Sequence, residues 1–251
     1  MISDYDKIIL DVSGTLYCKN KTPLEGSKDF IEKYYDKIII FSNIGSKTGS
    51  ELRDDLYSIY NIPIPKVSTS LDLLLDHLSI KNYNKVFHYG NDNVTEKISP
   101  FTKKIMYQYD KDIDALIFTS LISKNWIPST DVALNIMMQN NVEIILANPD
   151  RISPNPPYNF TVSLITDGLL GLANRIIDKK NIIEFGKPYL TKQALGINKN
   201  EKLVTIGDNP WTDVKQSKLF NCTSILISSE TKKYSEDLSP TYVFKSLKHL
   251  L

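Results

Sequence analysis

Four short polar stretches could do chemistry on an anion. In Asp11-Val12-Ser13-Gly14-Thr15-Leu16, a carboxylate closes an apolar run and a glycine follows three residues later. A nucleophilic Asp facing phosphate needs this arrangement, because the glycine lets backbone amides approach the anion; an Asp that merely opens a turn is the alternative. Ser42-Asn43 ends a second apolar run. Its hydroxyl and amide can donate to phosphoryl oxygens, or simply cap a helix starting near residue 47. Phe185-Gly186-Lys187-Pro188 offers a point cation for phosphate charge, although a lone Lys is usually solvated. Gly207-Asp208-Asn209-Pro210-Trp211-Thr212-Asp213 carries two carboxylates on a turn after an apolar strand. They suit a Mg²⁺ ion that keeps several waters, with a solvated acidic loop as the alternative. The four together supply nucleophile, donors, cation and metal carboxylates, a conjunction much rarer than any one of them.

Each stretch sits at the end of a run short and β-rich enough to be a strand. Such runs recur at 7–12, 37–42, 85–89, 115–119, 142–147, 182–185, 203–206 and 223–227. Segments with apolar spacing of three and four alternate with them, among them 29–35, 50–60, 71–78 and 131–139. This alternation predicts βαβ units around a largely parallel sheet, in which ligands bind at the C-terminal ends of the strands. The proline-rich stretch 148–157 reads as a polar loop that either lines a site or runs over the surface.

Composition narrows the function classes. The 251 residues hold 30 basic and 29 acidic side chains, a net charge of +1, so no global field favours a nucleic-acid backbone or an anionic membrane. No run approaches the roughly 18 apolar residues of a spanning helix, and the N-terminus lacks the pattern of a secretory signal, which predicts a cytoplasmic protein with no membrane partner. Cys18 and Cys222 have no metal-ligand spacing and read as reduced thiols. His77, His88 and His249 have no motif around them and read as structural or surface residues.

The ordered set DVSGT, Ser42-Asn43, Lys187 and GDNPWTD resembles the haloacid dehalogenase (HAD) superfamily. Its phosphatases carry DxDGT, a Ser/Thr strand end, a Lys and GDxxxTD in that order. About 32 residues separate Asp11 from Asn43, against about 144 from Asn43 to Lys187. An insertion therefore lies between the second and third motifs, as in the C2-capped members. SNIGSKT at 42–48, VSTSLDLLLDHL at 67–78, ANPD at 147–150 and FGKPY at 185–189 are similar to the type IIA, NagD-like and 4-nitrophenylphosphatase-like subgroup. The resemblance implies a Rossmann-like α/β core with a parallel sheet over 1–80 and 181–251, and an inserted α/β C2 cap over 81–180 that selects substrate. It implies a Mg²⁺-dependent phosphoric monoester hydrolase acting on a small phosphorylated substrate, and allows a homodimer through the cap. Asp11 would be the nucleophile, and Asp11, the Ser13 carbonyl, Asp208 and Asp213 the metal site. Ser42, Asn43 and Lys187 would hold the phosphoryl group. In that subgroup the NPD turn belongs to the cap, which makes Asp150 and Arg151 candidates for substrate contact.

Ser13 departs from the pattern, since the family's general acid/base Asp stands there. A serine hydroxyl can hydrogen-bond a leaving oxygen, but has no pKa near neutrality with which to protonate it. Losing a positioned acid typically costs about 10²–10⁴ in rate. The DxSGT form resembles the phospholysine, phosphohistidine and pyrophosphate phosphatase branch, where a leaving group from a P–N bond, pyrophosphate or an aryl phosphate needs less help. The alternative is a HAD-fold binding or regulatory module with feeble turnover.

Overall fold

The computed structural model describes residues 2–18, 20–120, 126–139, 141–151, 161–176, 182–228 and 234–251. Backbone contacts divide the chain into two units: 1–42, 48–69 and 187–251 form the first, and 43–47 with 70–186 the second.

Among the described residues, the first unit is built on a six-stranded parallel sheet ordered β11-β10-β9-β1-β2-β3. The strands are β1 (Lys7–Leu10), β2 (Ile38–Ser42), β3 (Lys66–Thr69), β9 (Leu203–Gly207), β10 (Thr223–Ile227) and β11 (Tyr242–Phe244). β2 and β9 are buried along their whole length, which explains their almost unbroken apolar sequence. β1 lies between them, pairing Leu10 with Ile40 on one side and with Ile206 on the other. The chain builds outward from β1 through β2 and β3, and later returns to the opposite edge of β1 as β9. The C-terminal ends of β1 and β9 thus flank the topological switch point, where the fold opens a ligand crevice.

Helix α1 (Ser27–Lys33) precedes β2, and α2 (Gly49–Tyr60) joins β2 to β3. A capping box starts α2: the Glu51 amide donates to the Thr48 hydroxyl, and the Thr48 amide donates to the Glu51 carboxylate at 2.8 Å. Leu52, Leu56 and Tyr60, four residues apart, form its buried face, and the Tyr60 hydroxyl donates to the Leu16 carbonyl. That bond ties the helix to the loop after β1. β3 carries a short, partly polar sequence and β11 is only three residues long, so neither shows the longer apolar run of the central strands.

The second unit has its own parallel sheet, ordered β5-β4-β6-β7-β8 among the described residues. Its strands are β4 (Lys85–Tyr89), β5 (Lys104–Met106), β6 (Ala115–Phe118), β7 (Glu143–Leu146) and β8 (Ile182–Glu184). Strand periodicity sorts its core into two layers. Phe87, Tyr89, Leu116, Phe118, Ile144 and Leu146 pack with α5 (Trp126–Met137) and α6 (Val162–Ala173). Val86, Ala115, Ile117 and Ile145 pack with α3 (Ser70–Lys81) and α4 (Asp92–Ile98).

Backbone contacts draw the line elsewhere than the expected cap of 81–180. Helix α3 buries Leu71, Leu74 and Leu78 in the second unit's core, so that unit begins at Ser70 rather than 81 and ends at Gly186 rather than 180. Segment 43–47 joins it as well. The expected polar loop 148–157 falls mostly outside the described residues. No helix among the described residues is long and apolar enough to cross a membrane.

His88 is structural, as its sequence context predicts. Its two ring nitrogens each lie 2.7 Å from a threonine hydroxyl, Thr95 and Thr119, in the second unit's interior. Burial pushes its pKa down to about 3. The unfolded chain takes up a proton near pH 6.5 while the folded chain does not, so His88 contributes stability that is present above that pH and lost as pH falls. Between pH 7 and 4.5 the wild type should lose about 2–3 kcal/mol more unfolding free energy than His88→Gln. Parallel decline of the two in denaturant titrations across that range would remove this role.

Candidate active site

Asp11 continues the ladder beyond β1, its amide donating to the Ile206 carbonyl of β9 at 2.9 Å. The chain then turns sharply: the Leu16 amide returns to the Val12 carbonyl and the Gly14 amide to the Tyr17 carbonyl, both at 2.8 Å. Gly14 is required twice over. Its φ is +82°, and a Cβ there would lie 1.9 Å from Asp208 Oδ2. The absent side chain lets the Asp208 carboxylate lie against the loop that carries Asp11.

Asp213 arrives from the other side of the switch point. β9 ends at Gly207, and a π-helical turn over Pro210–Val214 leads into α7 (Lys215–Phe220). Asn209 caps the turn through a bond from the Trp211 amide at 3.1 Å. Asp213 Oδ2 accepts from the Asn209 amide at 3.1 Å, and the Thr205 hydroxyl donates to the Asp213 carbonyl at 3.2 Å. Trp211 itself is 53% exposed.

Lys187 joins these carboxylates. Only 2% exposed, it donates from Nζ to Asp11 Oδ1 at 2.5 Å and to Asp213 Oδ1 at 2.6 Å. The solvated lysine that a lone Lys suggests is therefore a buried ammonium between two carboxylates. Burial by itself lowers its pKa, but Asp11 and Asp213 outweigh that and hold it above the usual lysine range. Burial raises the pKa of Asp213 and Asp11 adds to the rise, while Lys187 opposes it. Ligand oxygens of Asp11, Asp208 and Asp213 all lie within 4.8 Å of one another. This set of hard oxygen donors fits a small divalent cation of the Mg²⁺ or Ca²⁺ type.

Of the residues singled out in the sequence, the structure thus gathers Asp11, Lys187, Asp208 and Asp213. Ser13 is on the same loop, bridged to Tyr17, and Ser42 is buried at the end of β2, next to β1 in the sheet. Asn43, Asp150 and Arg151 belong to the second unit. There the Asn43 carboxamide donates to Asp150 Oδ1 at 2.9 Å, and Arg151 pairs with Asp167 at 2.8 Å and, at 4.0 Å, with Glu184. Arg151 has anionic partners of its own in the fold.

Two residues escape a motif-based reading. Tyr17 pairs with Ser13 through the backbone and a side-chain hydrogen bond; burial raises its phenol's pKa, with Asp55 and Asp11 adding. Gln216 clamps the stretch after Lys187, accepting from the Leu190 amide at 3.2 Å and donating to the Leu190 carbonyl at 3.3 Å. Tyr17 lies six residues after Asp11, the only sequence cue for either.

Residues 184–250 match the HAD-hydrolase-like family model. Over nearly its whole length the chain has the fold of solved NagD-like and nitrophenylphosphatase structures. The p-nitrophenyl phosphatase of Archaeoglobus fulgidus is 20% identical, with 98% of each chain covered and a TM-score of 0.79. The 4-nitrophenylphosphatase of Thermotoga maritima is 22% identical, with 99% of this chain and 97% of that one covered and a TM-score of 0.78. The glycerol phosphate phosphatase of Mycobacterium tuberculosis, solved with magnesium, is 16% identical, with 98% and 76% covered and a TM-score of 0.79. No curated protein matches the chain. Residues 184–250 thus resemble the HAD-hydrolase-like family, and the fold of the chain is similar to that of the solved NagD and 4-nitrophenylphosphatase structures.

Proposed function

We propose that the protein is a phosphatase that hydrolyses a small phosphorylated substrate through an aspartyl-phosphate on Asp11. The observation that carries the reading is the buried Lys187 ammonium between Asp11 and Asp213 at the switch point, with the Asp208 carboxylate against the same loop. Burying such a charge cluster is costly and adds little to stability, so it is best explained by chemistry. Asp11 attacks phosphorus, the bond to the leaving oxygen or nitrogen breaks, and water then cleaves the acyl-phosphate to restore the carboxylate. Lys187, Ser42 and Asn43 hold the phosphoryl oxygens and fix the line of attack. Mg²⁺, held by Asp11, the Ser13 carbonyl and Asp208 with Asp213 in support, would supply positive charge beside the transferring group. Asp213 has its two oxygens on Lys187 and the Asn209 amide, which suits a bracing role. The second unit takes the role of the C2 cap that selects substrate.

Ser13 sets the substrate class. With a hydroxyl where a carboxylic acid would protonate the leaving group, the enzyme favours phosphoramidates, pyrophosphate and aryl phosphates over alkyl esters. The test is phosphate release with Mg²⁺ from a panel holding those three classes together with glycerol phosphate, sugar phosphates and nucleotides. Ser13 also favours a second reading, a binding module with feeble turnover, and absence of release from every member would shift the weight to it. Ser13→Asp should raise kcat on glycerol phosphate by about 10²–10⁴-fold and change p-nitrophenyl phosphate far less. Equal change on both would mean that proton supply does not limit the natural protein.

A further inference from the structure

Asp11, Val12, Thr15 and Leu16 are buried, whereas Ser13 between them is exposed. The hydroxyl that stands where the resemblance expects an acid is therefore open to a substrate. An exposed serine has three staggered rotamers and an O–H that turns freely, so alone it spreads its hydrogen bond over several directions. A donor to a leaving atom needs one direction, and a second group has to fix it.

Tyr17, in the same unit, is placed to do so. The loop folds back after Gly14: the Gly14 amide donates to the Tyr17 carbonyl at 2.8 Å, and Ser13 and Tyr17 form a parallel bridge. On its other side Tyr17 bridges Pro23 in the antiparallel sense, and the Leu24 amide donates to the Leu16 carbonyl at 2.9 Å. The Tyr17 backbone is thus held between two segments. Its half-buried phenol makes a side-chain hydrogen bond with Ser13 and lies within electrostatic reach of Asp11. A phenol is a stronger acid than an alkyl hydroxyl and hence the better donor, while the serine oxygen has two lone pairs to accept with. With Tyr17 donating, Ser13 keeps its own hydrogen for another acceptor, and hydroxyls bonded in a chain polarise one another.

We infer that Tyr17 is a positioning residue: its phenol donates to Ser13 Oγ and so aims the Ser13 O–H at the leaving atom of the substrate. The inference rests on the phosphatase reading and deepens it. As Asp11 bonds to phosphorus, the bond from phosphorus to the leaving oxygen breaks and that oxygen departs with the electron pair. The Ser13 hydrogen bond stabilises the charge, no proton is transferred, and the oxygen takes its proton from water after release. The effect of the pair therefore grows with the basicity of the leaving oxygen.

Phenyl phosphate and p-nitrophenyl phosphate share a ring and differ in that basicity, because the nitro group withdraws charge. The test measures kcat and KM on both, with Mg²⁺, for wild type, Tyr17→Phe, Ser13→Ala and the double variant. Misplacing a reacting group by about 1 Å can cost about 10²-fold. Tyr17→Phe should accordingly lower kcat on phenyl phosphate by about 10–10²-fold, change it much less on p-nitrophenyl phosphate, and leave KM nearly as it was. In the Ser13→Ala background the same change should have no further effect. A loss equal on both substrates, or one repeated in full without Ser13, would show that Tyr17 supports the loop alone and would overturn the inference. Ser13→Ala alters only an exposed side chain and keeps the test open if Tyr17→Phe fails to fold: its own loss should fall mainly on phenyl phosphate, and an even loss would overturn the inference too. NMR of protein carrying Cζ-labelled tyrosine gives a readout independent of turnover. Ser13→Ala should shift the signal that Tyr17→Phe removes, and an unshifted signal would overturn the bond itself. Absence of wild-type turnover, with that signal still dependent on Ser13, would reduce the bond to loop structure and count against the phosphatase reading.

Discussion

Asp11→Asn should lose at least about 10⁴-fold in kcat on every substrate the wild type turns over, which corresponds to about 5.5 kcal/mol of barrier. An amide cannot replace a carboxylate as the nucleophile that forms the acyl-phosphate, and Asp213 is committed to Lys187 and the Asn209 amide. The same change should leave the fold intact. The Asn carbonyl can still accept from Lys187, now in a one-to-one ion pair with Asp213 in place of the shared arrangement. Unfolding midpoints in EDTA should therefore match the wild type or exceed it, separating lost chemistry from lost structure. Substantial turnover by a pure, folded Asp11→Asn sample would take the nucleophile's role away from Asp11.

The site was legible in the sequence where local patterning and chemistry coincide. Asp11 and Asp208 lie at the ends of apolar runs, one residue beyond β1 and one beyond β9, so their placement at neighbouring strand ends follows from the parallel topology. Gly14 marked a close approach, and the structure names the visitor as the Asp208 carboxylate. Long-range pairings left no local trace. Nothing around Lys187 distinguishes an ammonium buried between carboxylates more than 20 residues away on either side from one in water. Helix α3 could be recognised by its period but not assigned, because an amphipathic stripe shows that a face is buried without showing against what. The short edge strands β3, β5 and β11 escaped for a related reason: each is held by hydrogen bonds to one neighbouring strand, β3 and β5 include polar residues, and β11 is only three residues long.

Lys187→Met tests the electrostatics of the site apart from its chemistry. Removing the ammonium leaves Asp11 and Asp213 buried beside one another without the cation that both contact. Breaking a buried pair in this way typically costs about 3–5 kcal/mol, so the variant should unfold that much more easily at pH 8 in EDTA. The pH dependence has a definite sign. In the variant a carboxyl must become protonated to remain buried, so its folded pKa lies above the unfolded value near 3.9. Such a group contributes stability that is present below the unfolded pKa and is lost as pH rises through the folded one. The deficit against wild type should therefore shrink as pH is lowered from 8 towards 5. Millimolar Mg²⁺ should also recover stability more in the variant than in the wild type, because a cation that binds only the folded chain stabilises it by mass action, and here it meets carboxylates no longer neutralised by Lys187. kcat should fall in either case, since the phosphoryl group loses a fixed positive charge. A deficit that ignores both pH and Mg²⁺ would show that Lys187 supports the fold by packing alone and that its charge is not what the two carboxylates require.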